Sequence, residues 1–258
     1  MRSVPDLERI LGGEPLALGA AITLAGREDP RAADLLSRVR ARTGRAFRVG
    51  VTGPPGVGKS SLLREIVRRL RTKGERVAIV ASDPVSPFSG GALLGDRFRL
   101  AALAQDRGLF FRSLAHRAAP GESGRVAALA ADILDAGGYP WIFLETVGTG
   151  QADVGVFLGT HLGILVHSPD QGDELQMMKA GILEAAGLHV VTRADRPGAA
   201  AWAARLLDTL RLGAGRPEPA VLAASAVTGE GVDRVVGELE ERRREFVKTG
   251  RAAERMET

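Results

Sequence analysis

Cysteine is absent from the 258 residues, which removes disulfides, thiolate metal sites and cysteine nucleophiles together. Aromatic residues make up only 4% of the chain, and no RNA- or DNA-reading motif accompanies them, so a nucleic-acid partner is not expected. No apolar run is long enough for a signal peptide or a membrane helix, and the cytoplasm is the expected compartment. The four histidines, His116, His161, His167 and His189, lack metal-ligand spacing, and packing or surface roles are expected of them. Lysine is scarce as well: only four of the 35 basic residues are Lys, and arginine supplies the rest. With a net charge of +4, that arginine excess reads as a solvated surface.

What is present suits one sizeable core, with 45% hydrophobic and 26% charged residues. Residues 1–45 read as a helical extension. Leu7, Ile10 and Leu11 make a short apolar face, Pro15 opens PLALGAAITLAG, and Pro30 opens RAADLLSRVRAR. From Phe47 the pattern changes to short apolar runs: FRVGVT (47–52), RVAIVAS (76–82), LFFRSL (109–114), WIFLE (141–145), LGILVH (162–167), LHVVT (188–192) and AVLAAS (220–225). Helical stretches such as SSLLREIVRRLRTKG and RVAALAADILDAGG lie between most of them. Continuous apolar strands separated by helices predict an α/β fold, a mostly parallel sheet covered by helices on both faces. The main domain is assigned to 46–248, with 249–258 as a charged tail. In the last helical stretch Val232, Val235, Val236 and Leu239 form an apolar stripe expected to dock onto the sheet. Trp141 and Trp202 are expected in the core.

Ligands in such sheets bind beyond the carboxyl ends of the strands. There the chain carries GPPGVGKS (53–60), directly after FRVGVT and directly before a helical run. This is the strand–loop–helix context that a phosphate loop requires. Gly53, Gly56 and Gly58, with Pro54, Pro55 and Val57 between them, let the backbone aim N–H groups at phosphate oxygens. The helix opening at Lys59, Ser60 and Ser61 adds its positive end. Lys59 would bridge the β- and γ-phosphates and Ser60 would offer a hydroxyl to Mg²⁺. Lysine is kept here in a chain that prefers arginine, because a guanidinium fork does not suit the cradle.

Magnesium on a triphosphate needs carboxylates at the strand ends, and Asp83, Asp96 and Glu145 are the candidates. Glu145 opens ETVGTGQ, in which Gly148 stands three places on, as in an acidic-x-x-Gly switch whose glycine N–H feels the γ-phosphate. Gln151 is the only nearby amide that could orient water. No arginine in that stretch offers a finger in cis, so slow intrinsic hydrolysis, accelerated by a partner, is expected.

Together the stretches GPPGVGKS, SDPVSPFSGGALLGDRFRL, ETVGTGQAD, SPDQGDELQMMKAGILEAAG and SAVTGEG resemble the MeaB/ArgK-type P-loop GTPase chaperones of adenosylcobalamin-dependent methylmalonyl-CoA mutase. The resemblance extends from near residue 5 to about residue 248. It implies Mg²⁺ held by Ser60, Asp96 and Glu145, with Asp83 close by, and a switch around Gln151. It also implies a loop from Gln171 to Lys179, including Asp173 and Glu174, that touches the mutase. GTP binding and hydrolysis in that family gate cofactor loading, protect the mutase and eject damaged cobalamin.

The chain departs from the family pattern at several points. The guanine-reading Asn-Lys-x-Asp becomes Thr192, Arg193, Ala194 and Asp195. Asp195 keeps the carboxylate that accepts both guanine N–H groups, whereas Thr192 lacks the amide that ties this loop together. Ser225 and Ala226 fit the second base-contacting loop. Pro-Gly-Ala-Gly before Asp-Glu-Leu-Gln becomes Pro169, Asp170, Gln171 and Gly172, and Ala180 replaces a second lysine after Lys179. Most of the family's C-terminal dimerisation arm is missing, which leaves homodimerisation open. A divergent member serving a related branched acyl-CoA mutase is therefore expected. Two other readings stand beside it. A nickel- or cobalt-delivery GTPase would ordinarily carry Cys- or His-rich loops, and an ATP-dependent small-molecule kinase would need an adenine pocket in place of Asp195.

Overall fold

Each of the seven apolar runs forms a strand, and every pairing among them is parallel. The computed structural model of the chain describes residues 4–27, 29–84, 106–116, 122–146, 154–170, 180–211 and 220–249. The strands are β1 (Phe47–Thr52), β2 (Val77–Pro84), β3 (Leu109–His116), β4 (Trp141–Thr146), β5 (Leu162–His167), β6 (Leu188–Val191) and β7 (Ala220–Ala223). Their order across the sheet is β3-β2-β4-β1-β5-β6-β7, with β1 at the centre. Every residue of β1 and β5 is buried, which explains why these runs carry no polar alternation.

Eight α-helices are described: α1 (Leu7–Leu11), α2 (Pro15–Gly26), α3 (Ala32–Arg40), α4 (Lys59–Thr72), α5 (Glu122–Ala136), α6 (Ala180–Ala185), α7 (Ala199–Arg211) and α8 (Val232–Thr249). Asp6 caps α1 by accepting from the Glu8 N–H at 3.1 Å, and Pro15 sits in the first turn of α2, where its missing N–H costs nothing. Successive strand residues face opposite sides. Val77 and Ile79 join Phe47, Val49 and Val51 against Leu62, Leu63, Ile66, Val67 and Leu70 of α4. Ala78 and Val80 pack on the other face with Ile10, Leu18, Ile22, Leu35 and Val39 from α1–α3 and with Ile133 and Leu134 of α5. The three N-terminal helices thus complete one covering layer of the sheet.

The stripe Val232, Val235, Val236 and Leu239 is buried in the core shared with α4, as its spacing predicts. Trp141 and Trp202 are buried too. Beneath the N-terminal layer lies a buried charge cluster. Arg48 of β1 pairs with Asp132 at 2.8 Å and Asp135 at 3.1 Å, both on α5. Asp135 also accepts from the backbone N–H groups of Gly44, Arg45 and Ala46, so it clips the segment entering β1 onto α5. Among the described residues no helix is long and apolar enough to cross a membrane.

Candidate functional site

Parallel pairing places the ends of β1, β2, β4, β5, β6 and β7 on one rim of the sheet, and the loop 53–58 leaves its centre. The turn demands glycine. Gly53 has φ 149°, and a Cβ there would lie 2.3 Å from Val166 O, so no side chain fits between the loop and β5. Gly56 and Gly58 also have positive φ, of 75° and 95°. Gly58 is the N-cap of α4 and makes no side-chain cap bond; its carbonyl accepts from Leu62 N–H at 2.9 Å. The first turn of this 14-residue helix therefore presents unsatisfied N–H groups and the positive end of its dipole to the loop.

Lys59 is buried, and its Nζ donates to the carbonyls of Gly53 at 2.7 Å and Pro54 at 2.8 Å. These bonds hold the ammonium group against the backbone of the loop. Ser60 Oγ donates to Glu145 Oε1 at 2.7 Å. Glu145 is buried at the end of β4, opposite Val51 of β1 and Ala81 of β2. Beside this pair, Thr146 Oγ1 lies 2.8 Å from Thr52 Oγ1 and ties the ends of β4 and β1. All these donors are hard oxygens with one negative charge between them, a set that suits Mg²⁺ better than zinc or copper. Asp83 lies in β2 with its side chain outside the described residues, and Asp96, Gly148, Gln151, Gln171, Asp173, Glu174 and Lys179 lie outside them altogether.

The expected base-reading segment follows β6. Thr192 lacks the amide, but its hydroxyl takes over the tie. It lies within hydrogen-bonding distance of His167 O at 2.9 Å and also contacts Val57 O of the phosphate loop at 2.5 Å, and its single proton serves one carbonyl at a time. Arg193 Nη2 donates to Gly56 O at 2.9 Å. Asp195 is exposed, and the hydroxyl of Ser225 donates to its carboxylate, holding its pKa below the ordinary aspartate value. Ser225 is itself fixed: its Oγ accepts from the N–H groups of Val227 and Thr228, each at 3.2 Å, and its own N–H donates to Glu230 O at 2.8 Å. Ala226 follows it at the rim. An exposed, ionised carboxylate beside a rigid backbone turn is an arrangement that can accept two N–H donors from a planar ring.

Several residues of this rim carry no sequence signal of their own. Thr52 and Thr146 meet only because β1 and β4 are neighbours, and Asp170 reaches Arg193 and Arg196 from the turn after β5. Behind that turn His167 and His189 are buried side by side, Nε2 to Nδ1 at 3.0 Å, with His167 against Trp202. Burial pushes His167 down to about 3 and His189 to about 4, and the His189 ring adds to the depression at His167. Both rings are neutral at pH 7, and the packing role expected of them holds. Among the described residues, no three His, Asp or Glu side chains group as metal ligands.

Comparison with known proteins agrees with the geometry. A family model described as methylmalonyl-CoA mutase-associated GTPase MeaB matches residues 18–258. A protein of Pyrococcus horikoshii named as a GTPase is 37% identical over 100% of this chain and 83% of its own length. The GTPase ArgK of Escherichia coli is 32% identical over 89% of this chain and 72% of its own. The mouse protein named methylmalonic aciduria type A homolog, mitochondrial, is 35% identical over 82% of this chain, which spans 52% of that protein. Among solved structures, one titled LAO/AO transport system kinase superposes with TM-score 0.76 at 26% identity, over 97% of this chain and 78% of that one. HypB of Helicobacter pylori, solved with nickel, superposes with TM-score 0.57 at 16% identity over 85% of this chain and 96% of its own, a likeness of fold alone. With a phosphate loop on the central strand and a family match over nearly its whole length, this chain belongs to the MeaB family of methylmalonyl-CoA mutase-associated GTPases.

Proposed function

We propose that the chain binds GTP with Mg²⁺ on the loop between Thr52 and Ser60, hydrolyses it slowly, and uses its nucleotide state to assist an adenosylcobalamin-dependent acyl-CoA mutase. One observation carries the nucleotide reading. A glycine-shaped loop, a buried ammonium, a hydroxyl–carboxylate pair and an ionised carboxylate all converge on one rim. In this reading the N–H groups of residues 53–61 cradle the phosphates, and Lys59 leaves its two carbonyls to meet the β- and γ-oxygens. Ser60 and Glu145, joined by Asp96 with Asp83 nearby, hold Mg²⁺. Bound there, the ion offsets negative charge on the phosphate oxygens. Gly148 senses the γ-phosphate and Gln151 orients water. Asp195 accepts the two guanine N–H groups, a backbone N–H at Ser225–Ala226 meets the guanine oxygen, and Thr192 and Arg193 fasten that loop.

The partner assignment is supported by the family's description and rests on Gln171, Asp173, Glu174 and Lys179 as the contacting loop. The mutase is methylmalonyl-CoA mutase or one acting on a related branched acyl-CoA, and the chain would gate cofactor loading and protect or reactivate it in the cytoplasm. Homodimerisation is not required by this scheme. A nickel- or cobalt-delivery role finds no support in a chain without cysteine, and Asp195 favours guanine over the adenine of an ATP-dependent kinase. The test is GTP hydrolysis with and without each purified mutase. A slow basal rate, raised by one mutase and not reproduced with ATP, is expected; equal rates under all conditions would contradict the partner role.

A further inference from the structure

The guanidinium of Arg193 joins three segments distant in sequence. Its Nη2 donates to Gly56 O of the phosphate loop at 2.9 Å, and its Nη1 pairs with the Asp170 carboxylate in the turn after β5. Arg196 donates to the same carboxylate oxygen at 2.7 Å, and its N–H returns to Arg193 O at 2.9 Å. Arg193 is also the one non-glycine residue with positive φ among the described residues, at 57°. A long side chain avoids that conformation unless its surroundings hold it there. The planar fork explains the residue type: two donors point at two acceptors at once, whereas a lysine ammonium is a point charge.

We propose that Arg193 and Asp170 form a latch that holds the base-reading loop against the phosphate loop and so slows release of guanosine nucleotide. The inference rests on the nucleotide assignment above. Asp195 lies two residues beyond Arg193, and Gly56 lies within the loop that would cradle the phosphates. Fixing the two segments relative to each other means that the site needs less ordering when nucleotide enters. The effect falls mainly on the dissociation rate, as for most changes within a formed site. The side chains of Arg193 and Asp170 are 35% and 41% exposed, so the latch is moderate in strength and weakened by salt. Both act as positioning residues.

Stopped-flow release of a fluorescent GDP analogue from the full chain tests the latch. Asp170→Asn is expected to release about three-fold faster than the parent, the scale of a partly exposed ion pair. Arg193→Ala is expected to release faster still, because it also loses the bond to Gly56. The double variant should release little faster than Arg193→Ala alone, since Asp170 reaches the phosphate loop through Arg193. Arg193→Lys should resemble Asp170→Asn, and Asp170→Asn should lose part of the parent's salt dependence while melting at the parent temperature without ligand. Parent-like release from Asp170→Asn, or additive effects in the double variant, would overturn the latch alone. No GDP binding by the parent would overturn the nucleotide assignment and the latch with it.

Discussion

The hydroxyl of Ser60 donates to Glu145 Oε1 at 2.7 Å, joining the first turn of α4 to the end of β4 across 85 residues of sequence. The contact exists because β1 and β4 are neighbours in register, which brings the loop after one strand against the last acidic residue of the other. A carboxylate held there supplies charge to a cation without moving. Glu145→Gln keeps the shape and a hydrogen-bond acceptor but removes the charge. It should weaken Mg²⁺ affinity in the nucleotide complex by about ten-fold or more, the scale seen when a metal site loses an ordering group. Magnesium titration of nucleotide binding checks this, and GDP binding in EDTA should change little.

The Arg48 cluster yields a stability prediction. Arg48 and Asp135 are both 1% exposed at the side chain, and Asp135 also receives three backbone N–H bonds. Asp135→Ala leaves the guanidinium half-paired and the entry to β1 unclipped. The expected loss is about 3 kcal/mol, read from the urea midpoint, because breaking a buried pair from one side exposes its full desolvation cost.

Gly50 tests the close approach of the turn 154–157 to the sheet. A Cβ on Gly50 would lie 2.9 Å from Phe157 Cδ1 and 2.9 Å from Val156 O, and the Phe157 ring leaves equally little room at Gly163 of β5. Gly50→Ala should cost about 1–3 kcal/mol by overpacking. Phe157→Leu in the same chain should recover part of that loss in thermal melts, since only the ring half of the clash is relieved.

The paired histidines predict acid lability. In the unfolded chain both titrate near the ordinary value of 6.5, whereas burial holds them at about 3 and about 4 in the fold. Between those limits the unfolded state binds more protons, so stability rises with pH across the window and is lost as pH falls from 6.5 toward 4. His189→Gln, whose amide can donate or accept toward His167, should reduce the slope of melting temperature against pH over that range. An unchanged acid limb would show that these rings do not control it.

Much of this fold is legible in the sequence because its signals are local. Strands buried on both faces read as unbroken apolar runs, and all seven emerge. Their ends differ by a few residues: β2 starts at Val77 and continues to Pro84, while Thr192, Ala224 and Ser225 leave the ladder to enter the rim. The phosphate loop is legible for the same reason, since its glycines, lysine and serine are contiguous. Contacts that depend on sheet order are not legible. Nothing in the sequence puts Thr52 beside Thr146, or turns Arg193 toward both Gly56 and Asp170. Thr192 is instructive, because substitution by residue type suggests a lost tie, while burial beside Val57 and His167 gives its hydroxyl the same task.

Calorimetry of GDP with Mg²⁺, run on the parent and on Lys59→Ala, tests the phosphate site most directly. The parent should bind with a one-to-one stoichiometry, and its melting temperature should rise as nucleotide is added, because the ligand favours the folded state. Lys59→Ala should remain folded but lose both the heat and the shift, since the ammonium that meets the phosphates is gone. Equal binding by parent and variant, or no heat from the parent, would contradict the placement of the phosphates on this loop.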